Sequence, residues 1–479
     1  MSHIINTSFI NGHFPKCYKK AITIPIYKDG KKDIASNYRP ISLITCCAKI
    51  FEKTLKTRML QFLNEHNIIN KKQFGFRQNQ STEDALTEFR NIIYNNIDKK
   101  TPTAAVFIDL AKAFDTLDHT VLLKKLYHYG FRGIAYDLIK SYLKNREHMV
   151  KIEEFKCNTI LINYGVPQST VIGPLLFILY INDLFTIARN CNILSYADDT
   201  TIIFEGKNWN EVTDAIQREM TSIHDWFENN SLTINTKKTY FMVYGSYINS
   251  IPTIKEIKYK HNGDTETITR SDQVNYLGLT IDSHLRWDKH IIKIVKKLKF
   301  VPFILSKLKN IMTSKIVTST MYNALFLSTL RYGLIVWGRA RKESLTTLQV
   351  LQNTALKKMY NKHRLYSTEK LYLETKQLNI RHLFSSLSIL KLADEGIHDK
   401  EYEKQKLTTK KLNFKNRNNI NNITTRSAIN NGTSRSVVIP RCNKEIGERN
   451  YKVLGLKIIN KLSNTLRSNL YKFEKKTLL

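Results

Sequence analysis

Two apolar, β-prone runs with a pair of aspartates wedged between them leave this chain few ways to fold there. Ile193-Leu194-Ser195 leads into Tyr196-Ala197-Asp198-Asp199, and Thr200-Thr201-Ile202-Ile203-Phe204 follows at once. Runs this short and this closely joined read as a tight β-hairpin with two carboxylates at its tip. Asp is a common residue of solvated turns, but adjacent like charges repel. A third carboxylate changes the reading. Thr103–Ile108 is another apolar, β-prone run, and it ends in Asp109. An acid at the end of a buried strand is costly unless it is paired or bound to metal. One carboxylate on a strand end and two on a hairpin can hold two metal ions. Such ions clamp the attacking and leaving oxygens of an in-line phosphoryl displacement. Mg²⁺ suits the task because it takes one or two carboxylates together with substrate phosphates.

Charge points the same way. Lys and Arg number 75 against 41 Asp and Glu, a formal net charge of +34 over 479 residues. That excess supplies salt-dependent, sequence-independent affinity for phosphate backbones. At this length the chain can bury a large core and should hold more than one domain. The six cysteines (17, 46, 47, 157, 191 and 442) show no Cys-x-x-Cys or Cys/His metal spacing. A reduced compartment, cytoplasmic or nuclear, is therefore expected, with Cys46-Cys47 read as core. The longest apolar run, Leu175–Ile181, is far too short to cross a bilayer. Met1-Ser2-His3-Ile4-Ile5-Asn6 has neither a basic nor an apolar signal region.

Taken in order, the motifs resemble those of reverse transcriptases from non-LTR retrotransposons, the jockey-like group. They are Ile24-Pro25-Ile26-Tyr27-Lys28, Asn37-Tyr38-Arg39-Pro40-Ile41-Ser42-Leu43, Gln73-Phe74-Gly75-Phe76-Arg77 and Phe107-Ile108-Asp109 through Asp115. Gly165-Val166-Pro167-Gln168 with Gly173-Pro174-Leu175-Leu176-Phe177 follows, then Tyr196-Ala197-Asp198-Asp199, Asn235-Thr236-Lys237-Lys238-Thr239 and Tyr276-Leu277-Gly278. Single motifs of this kind are weak; eight in one order are specific. The resemblance begins near Asn11-Gly12-His13-Phe14-Pro15 and runs to the C-terminus. It implies an α+β right-hand polymerase. Residues 1–100 would be fingers, 101–285 a ferredoxin-like palm with an antiparallel sheet, 286–375 a helical thumb, and 376–479 a basic C-terminal region.

The local patterns agree with that division. Ser81-x-x-Asp84 before Ala85, Leu86, Phe89, Ile92 and Ile93 reads as a capped amphipathic helix. Helices are expected over 120–129, 133–144 and 209–229 and from Gly173-Pro174. Strands are expected near 150–152, 159–164 and 240–244. Together they give the β-α-β-β-α-β order of a split ferredoxin-like palm. Ile291, Ile294, Val295, Leu298 and Val301 recur at helical spacing beside Lys293, Lys296, Lys297 and Lys299, a basic helix able to follow a nucleic-acid backbone. Trp287, Tyr332 and Trp337 read as core anchors. The Asn-rich stretch 416–431 reads as a linker.

The resemblance also assigns roles. Asp109, Asp198 and Asp199 would hold two Mg²⁺, with Mn²⁺ as an alternative and the Leu110 carbonyl as an extra ligand. Lys28, Arg39 and Arg77 would contact the incoming triphosphate, Arg being suited to bidentate phosphate contact. Phe114 would be the steric gate that excludes a ribose 2′-hydroxyl, and Gln168 would line the nucleotide pocket. Lys238 would neutralise or protonate the leaving pyrophosphate, and Tyr276, Leu277 and Gly278 would form a primer grip. Asp115 and His119 are read as structural. The implied partners are an RNA template such as the element RNA, a DNA primer and dNTPs, with no membrane.

One motif departs from the family. Ser169-Thr170 stands where the family usually has Gly-Ser, which puts full activity in doubt. The chain begins almost at the first fingers motif, so no endonuclease activity is expected and the copy reads as truncated upstream of the fingers. The leading expectation is an RNA-directed DNA polymerase. The alternative is a catalytically weak nucleic-acid-binding remnant of such an element. An RNA-dependent RNA polymerase is disfavoured by Phe114. A telomerase or intron-maturase reading is disfavoured because no dedicated RNA-binding domain stands out.

Overall fold

The computed structural model describes residues 1–394, apart from 188–189, 246–253 and 312–313, together with Ile458. The Asn-rich stretch and the tail from Gly447 to Phe473 lie outside the described residues. The chain divides into two compact units. One comprises Met1–Ala85, Pro102–Tyr244 and Asn249–Asp272; the other comprises Leu86–Thr101 and the chain from Gln273 onward, with Gly245–Ile248.

The first unit is built on a six-stranded sheet. From edge to edge its strands are Glu256–His261, Asp264–Arg270, Tyr240–Tyr244, Thr103–Ile108, Asp199–Glu205 and Asn192–Tyr196. The last four carry the ferredoxin-like order, in which neighbours run antiparallel and helices cross between parallel strands. Thr103–Ile108 is buried throughout, as its unbroken apolar run requires at the centre of a covered sheet. The Trp209–Asn229 helix starts where the Asn208 side chain accepts from the Glu211 amide. It buries Val212, Ile216, Met220, Ile223, Trp226 and Phe227 on one face, each worth roughly 1.5–3 kcal/mol on transfer from water. The Gly173–Tyr180 helix opens with Pro at its first turn and is buried on nearly every side.

A second sheet, in the same unit, joins Tyr38–Leu43, Lys20–Tyr27 and Arg146–Ile152, with Phe155–Lys156 and Ile160–Ile162 paired to the last. Behind it, the buried Glu52 carboxylate accepts from the Tyr142 hydroxyl at 2.9 Å and from the Val171 amide at 2.7 Å. Glu52 therefore ties the Cys46–Glu65 helix to the loop that precedes Gly173.

The expected helices and strands lie within a few residues of where the sequence places them, including His119–His128, Gly133–Leu143, Trp209–Asn229 and Tyr240–Tyr244. The capping box is reciprocal: the Ser81 hydroxyl accepts from the Asp84 amide at 3.3 Å, and the Asp84 carboxylate accepts from the Ser81 amide at 2.7 Å. One reading is corrected. Cys46 and Cys47 are exposed, not core, because they occupy the first turn of a helix whose buried face begins at Ala48.

The second unit is mostly helical. Its Asp288–Leu298 helix buries Ile291, Ile294 and Leu298, while Lys293, Lys296 and Lys297 are exposed. Trp287 and Trp337 are buried as expected, at 1% and 0% exposure, whereas Tyr332 keeps 38% of its surface. Arg90 is 1% exposed and donates to the Ile335 and Val336 carbonyls. No described helix is long and apolar enough to cross a membrane.

Candidate active site

The register of the six-stranded sheet assembles the site. Ile108 pairs with Thr200, so one further step sets Asp109 opposite Asp199. Tyr196 pairs with Asp199, which leaves Ala197 and Asp198 as the two-residue hairpin loop. Ala197 carries φ 58°, a positive value at the first loop position, as a type II′ turn requires. A one-residue slip of either strand would turn all of these side chains to the opposite face.

The carboxylates feel one another. Burial pushes the Asp198 carboxyl above its ordinary value and the Asp109 charge adds to the rise, while Arg39 and Lys28 oppose it. The Asp199 carboxyl is pushed up to about 6, first by its crowded surroundings and then by the charges of Asp198 and Asp109. Asp199 is nevertheless solvent-exposed by surface, so crowding on one side coexists with access on the other. Asp109 is oriented by two residues of the Asn235–Thr239 motif. The Asn235 side chain donates to the Asp109 carboxylate at 3.0 Å, and the Asn235 amide donates to the Asp109 carbonyl at 2.8 Å. The Asp109 amide in turn donates to the Thr239 hydroxyl at 3.4 Å. Leu110 is buried on a short ladder with Ile234.

Three hard carboxylate donors are a donor set suited to a divalent cation. Among the described residues, no group of three His, Cys, Asp or Glu side chains is gathered closely enough to form a ready-made coordination shell. Asp109, Asp198 and Asp199 fit such an ion by donor type and charge, not by a preformed shell.

Beside the carboxylates, the loop after Gly165 is fastened to the segment after Asp109. Phe114 accepts from the Val166 amide at 2.9 Å through its carbonyl, and Leu117 from the Gly165 amide at 2.7 Å. A Cβ on Gly165, whose φ is +73°, would lie 2.7 Å from the Asp115 carbonyl. The Phe114 ring stacks on Phe177, with centroids 4.4 Å apart, and meets Phe76 edge-on at 6.2 Å. Gln168 donates through its side-chain amide to both Asp115 carboxylate oxygens, at 3.0 and 3.2 Å, and its carbonyl accepts from Ser42 of the second sheet at 3.1 Å. His119 meets the Gly165 carbonyl through Nε2 at 2.7 Å. Asp115 and His119 therefore act within the scaffold. Ser169 carries φ 73°.

The basic residues separate into two kinds. Lys28, Arg39 and Lys238 are exposed, and the first two lie close enough to act on the Asp198 charge. Arg77 instead donates to the Asn70 and Gln73 carbonyls at 2.9 and 3.1 Å, and burial lowers its pKa from the usual value. Its guanidinium is at least partly engaged in bracing its own loop. Tyr276, Leu277 and Gly278 lie in the second unit, where Leu277 and Gly278 form the two-residue loop between Gln273–Tyr276 and Leu279–Asp282. Both have positive φ, 45° and 79°, as a type I′ turn demands. The Tyr332 hydroxyl holds that turn by donating to the Leu277 carbonyl at 2.6 Å.

The reverse transcriptase (RNA-dependent DNA polymerase) family matches residues 27–281, more than half of the chain and all of the carboxylate site. The chain belongs to the reverse transcriptase family. It is similar to the RNA-directed DNA polymerase from mobile element jockey of Drosophila melanogaster, with 29% identity over 369 residues, 74% of this chain and 39% of that protein. The jockey polymerase of Drosophila funebris is 27% identical over 375 residues. This reverse transcriptase chain thus spans about two fifths of the length of the curated relatives it matches. Among solved structures it is similar to a Candida albicans telomerase in complex with a fragment of telomeric RNA, at 10% identity, covering 79% of this chain and 68% of that one, with a TM-score of 0.41. Enzymes of the family generally use divalent metal ions.

Two residues of this candidate site carry more than their motifs suggest. Asn235 and Gln73 stand in recognisable motifs, yet nothing in their neighbours names their partners, which lie 126 and 122–124 residues away in sequence. An amide directly before Phe74-Gly75 is the one signal that could have found Gln73.

Proposed function

We propose that this chain is the polymerase portion of an RNA-directed DNA polymerase of a mobile element. It would extend a DNA primer on an RNA template, the element RNA among them, in the cytoplasm or nucleus. The observation that carries the reading is the meeting of Asp109, Asp198 and Asp199 across neighbouring strands, with Asp198 facing the charges of Lys28 and Arg39. The fingers would be residues 1–100, the palm 101–285, the thumb 286–375 and the basic C-terminal region 376–479.

In the proposed reaction the primer 3′-hydroxyl attacks the α-phosphorus of a dNTP. The new P–O bond forms as the bond to the bridging oxygen breaks, the hydroxyl loses its proton, and pyrophosphate leaves. Catalysis of this kind is mainly positioning and charge neutralisation. Two Mg²⁺, or Mn²⁺, held by Asp109, Asp198 and Asp199 with the Leu110 carbonyl, would neutralise charge on the reacting oxygens. Lys28 and Arg39 would hold the triphosphate, with Arg77 stiffening the loop beside them. Phe114, held by Phe76 and Phe177, would occupy the space of a ribose 2′-hydroxyl. Gln168, its amide tethered to Asp115, would line the pocket with its free oxygen. Lys238 would neutralise or protonate the pyrophosphate. Tyr276, Leu277 and Gly278 would grip the primer.

The test is dNTP incorporation on a primed RNA template with Mg²⁺, comparing wild type with Asp198→Ala. Extension that the substitution abolishes supports the reading. Salt-sensitive RNA binding without extension would favour the catalytically weak remnant, a second reading motivated by Ser169 and its left-handed backbone.

A further inference from the structure

Gln73 has no exposed surface and every polar atom of its side chain is engaged. Its oxygen accepts from the Gly75 amide at 2.9 Å and from the Ala197 amide at 3.1 Å. Its nitrogen donates to the Ser195 hydroxyl at 3.1 Å, and that hydroxyl donates to the Ala197 carbonyl at 2.9 Å. Backbone bonds flank the contact: Phe74 donates to the Ser195 carbonyl at 2.8 Å, and Ser195 donates to the Lys72 carbonyl at 3.1 Å. The segment thus covers the outer edge of Asn192–Tyr196, a strand that ends the sheet. Both the amide and the carbonyl of Ala197, the first residue of the aspartate turn, are held by this one cluster.

That turn needs holding for two reasons. A non-glycine residue at positive φ is strained. The Asp198 charge is also pushed away by that of Asp109. A network of buried hydrogen bonds can offset both and keep Ala197-Asp198 in one geometry. Outer groups of this kind commonly change metal affinity by about 10–100-fold when removed.

We infer that Gln73 is a positioning residue for the divalent-ion site, setting the Asp198 carboxylate against Asp109 through Ala197 and Ser195. The inference rests on the proposed polymerase reading but is tested apart from it. The full chain is prepared as wild type, Gln73→Met and Ser195→Ala, and each is measured for thermal unfolding, Mg²⁺ affinity by calorimetry, and primer extension. Gln73→Met keeps length and loses all three side-chain hydrogen bonds; Ser195→Ala removes the hydroxyl relay, with its long contact from Thr200, and serves if the first variant fails to fold. The expected result is a Mg²⁺ dissociation constant raised about tenfold in folded Gln73→Met, and a few-fold in Ser195→Ala, with extension falling in step at fixed Mg²⁺ and recovering in part at high Mg²⁺. A purely structural role would lower the melting temperature and leave the dissociation constant unchanged, and that result overturns the inference. So does a wild-type chain that binds no Mg²⁺. A wild type that binds Mg²⁺ without extending primers would instead sink the polymerase reading and leave the positioning role to be judged on affinity.

Discussion

Gly75→Ala is the sharpest test of how the carboxylate turn is seated. A Cβ at this position would lie 2.3 Å from the Ala197 nitrogen, 3.0 Å from the Tyr196 carbonyl carbon and 3.1 Å from the Ala197 Cα. All three are backbone atoms, so no flexible side chain can swing aside. Gly75 is not among the residues with positive φ, so alanine meets no conformational objection and the whole effect is one of space. Restoring ordinary contact requires the two segments to part by about 1 Å, and overpacking of this kind costs about 1–3 kcal/mol. The displaced atoms belong to Ala197, the residue beside Asp198, and to Tyr196 before it. A misplacement of about 1 Å in a reacting group can lower a rate about 100-fold, equivalent to about 2.7 kcal/mol of barrier. Single-turnover extension of a primed RNA by one dNTP at saturating Mg²⁺ measures the rate, and a thermal melt measures the stability. We expect a rate 30- to 100-fold lower, by that same estimate, and a melting temperature lower by several degrees. An alanine variant that extends within about threefold of wild type and melts within about a degree of it would refute the claim that this contact seats the turn.

Three further predictions follow from the site. The metal-free Asp199 carboxyl titrates near 6, above its ordinary 3.8; a raised acid favours the folded state while protonated, so this contribution is present at low pH and is lost as pH rises through about 6. Calorimetry in buffers of different ionisation heat should then show proton release on Mg²⁺ binding below that pH and affinity weakening as pH falls through it; binding without proton release would contradict the assignment. Asn235→Ala removes the hydrogen bond that orients Asp109 and should lower single-turnover extension about 10- to 100-fold with little change in melting temperature; wild-type rates would show that Asp109 needs no such hold. Ser169→Gly removes a left-handed serine and should raise stability by about 0.5–1 kcal/mol, read as a rise in the denaturation midpoint, and a fall would show that the serine side chain makes a contact worth more than its strain.

Much of the six-stranded sheet and its helices was legible because the signals are local. Thr103–Ile108 is apolar without interruption, and Trp209–Asn229 repeats its apolar residues at helical spacing, so each element declares its own burial. The two aspartate segments could be paired because a strand-end acid and a hairpin-tip pair need the same relief from repulsion. What stayed hidden depends on how segments fold against one another. Glu256–His261 and Asp264–Arg270 extend the sheet, yet their apolar residues stand singly, Ile257 and Tyr259 among charges and Ile268 between threonines, a pattern easily passed over as polar. Arg77 reads as a free cation until its loop is seen to fold back beneath it. The exposure of Cys46 and Cys47 follows from where a helix begins, and residue type alone argued the opposite.

The two turns that matter most to the proposed chemistry obey one rule. Ala197 in the first unit and Leu277 in the second are both non-glycine residues at positive φ, 58° and 45°. Each is held by a side chain distant in sequence, Gln73 in one case and Tyr332 in the other. A glycine at either position would relax the backbone without help, but it would also lower the cost of alternative turn geometries. A strained residue with a dedicated tether leaves the turn with one deep minimum, provided the tether is made. The tether therefore matters most where the groups presented by the turn oppose its geometry. That condition holds at Ala197, since the next residue is a carboxylate repelled by another. Loss of Gln73 should accordingly be felt first in cation affinity, whereas loss of the Tyr332 hydroxyl, with no like charges to restrain at Leu277-Gly278, should be felt first in the stability of its own hairpin.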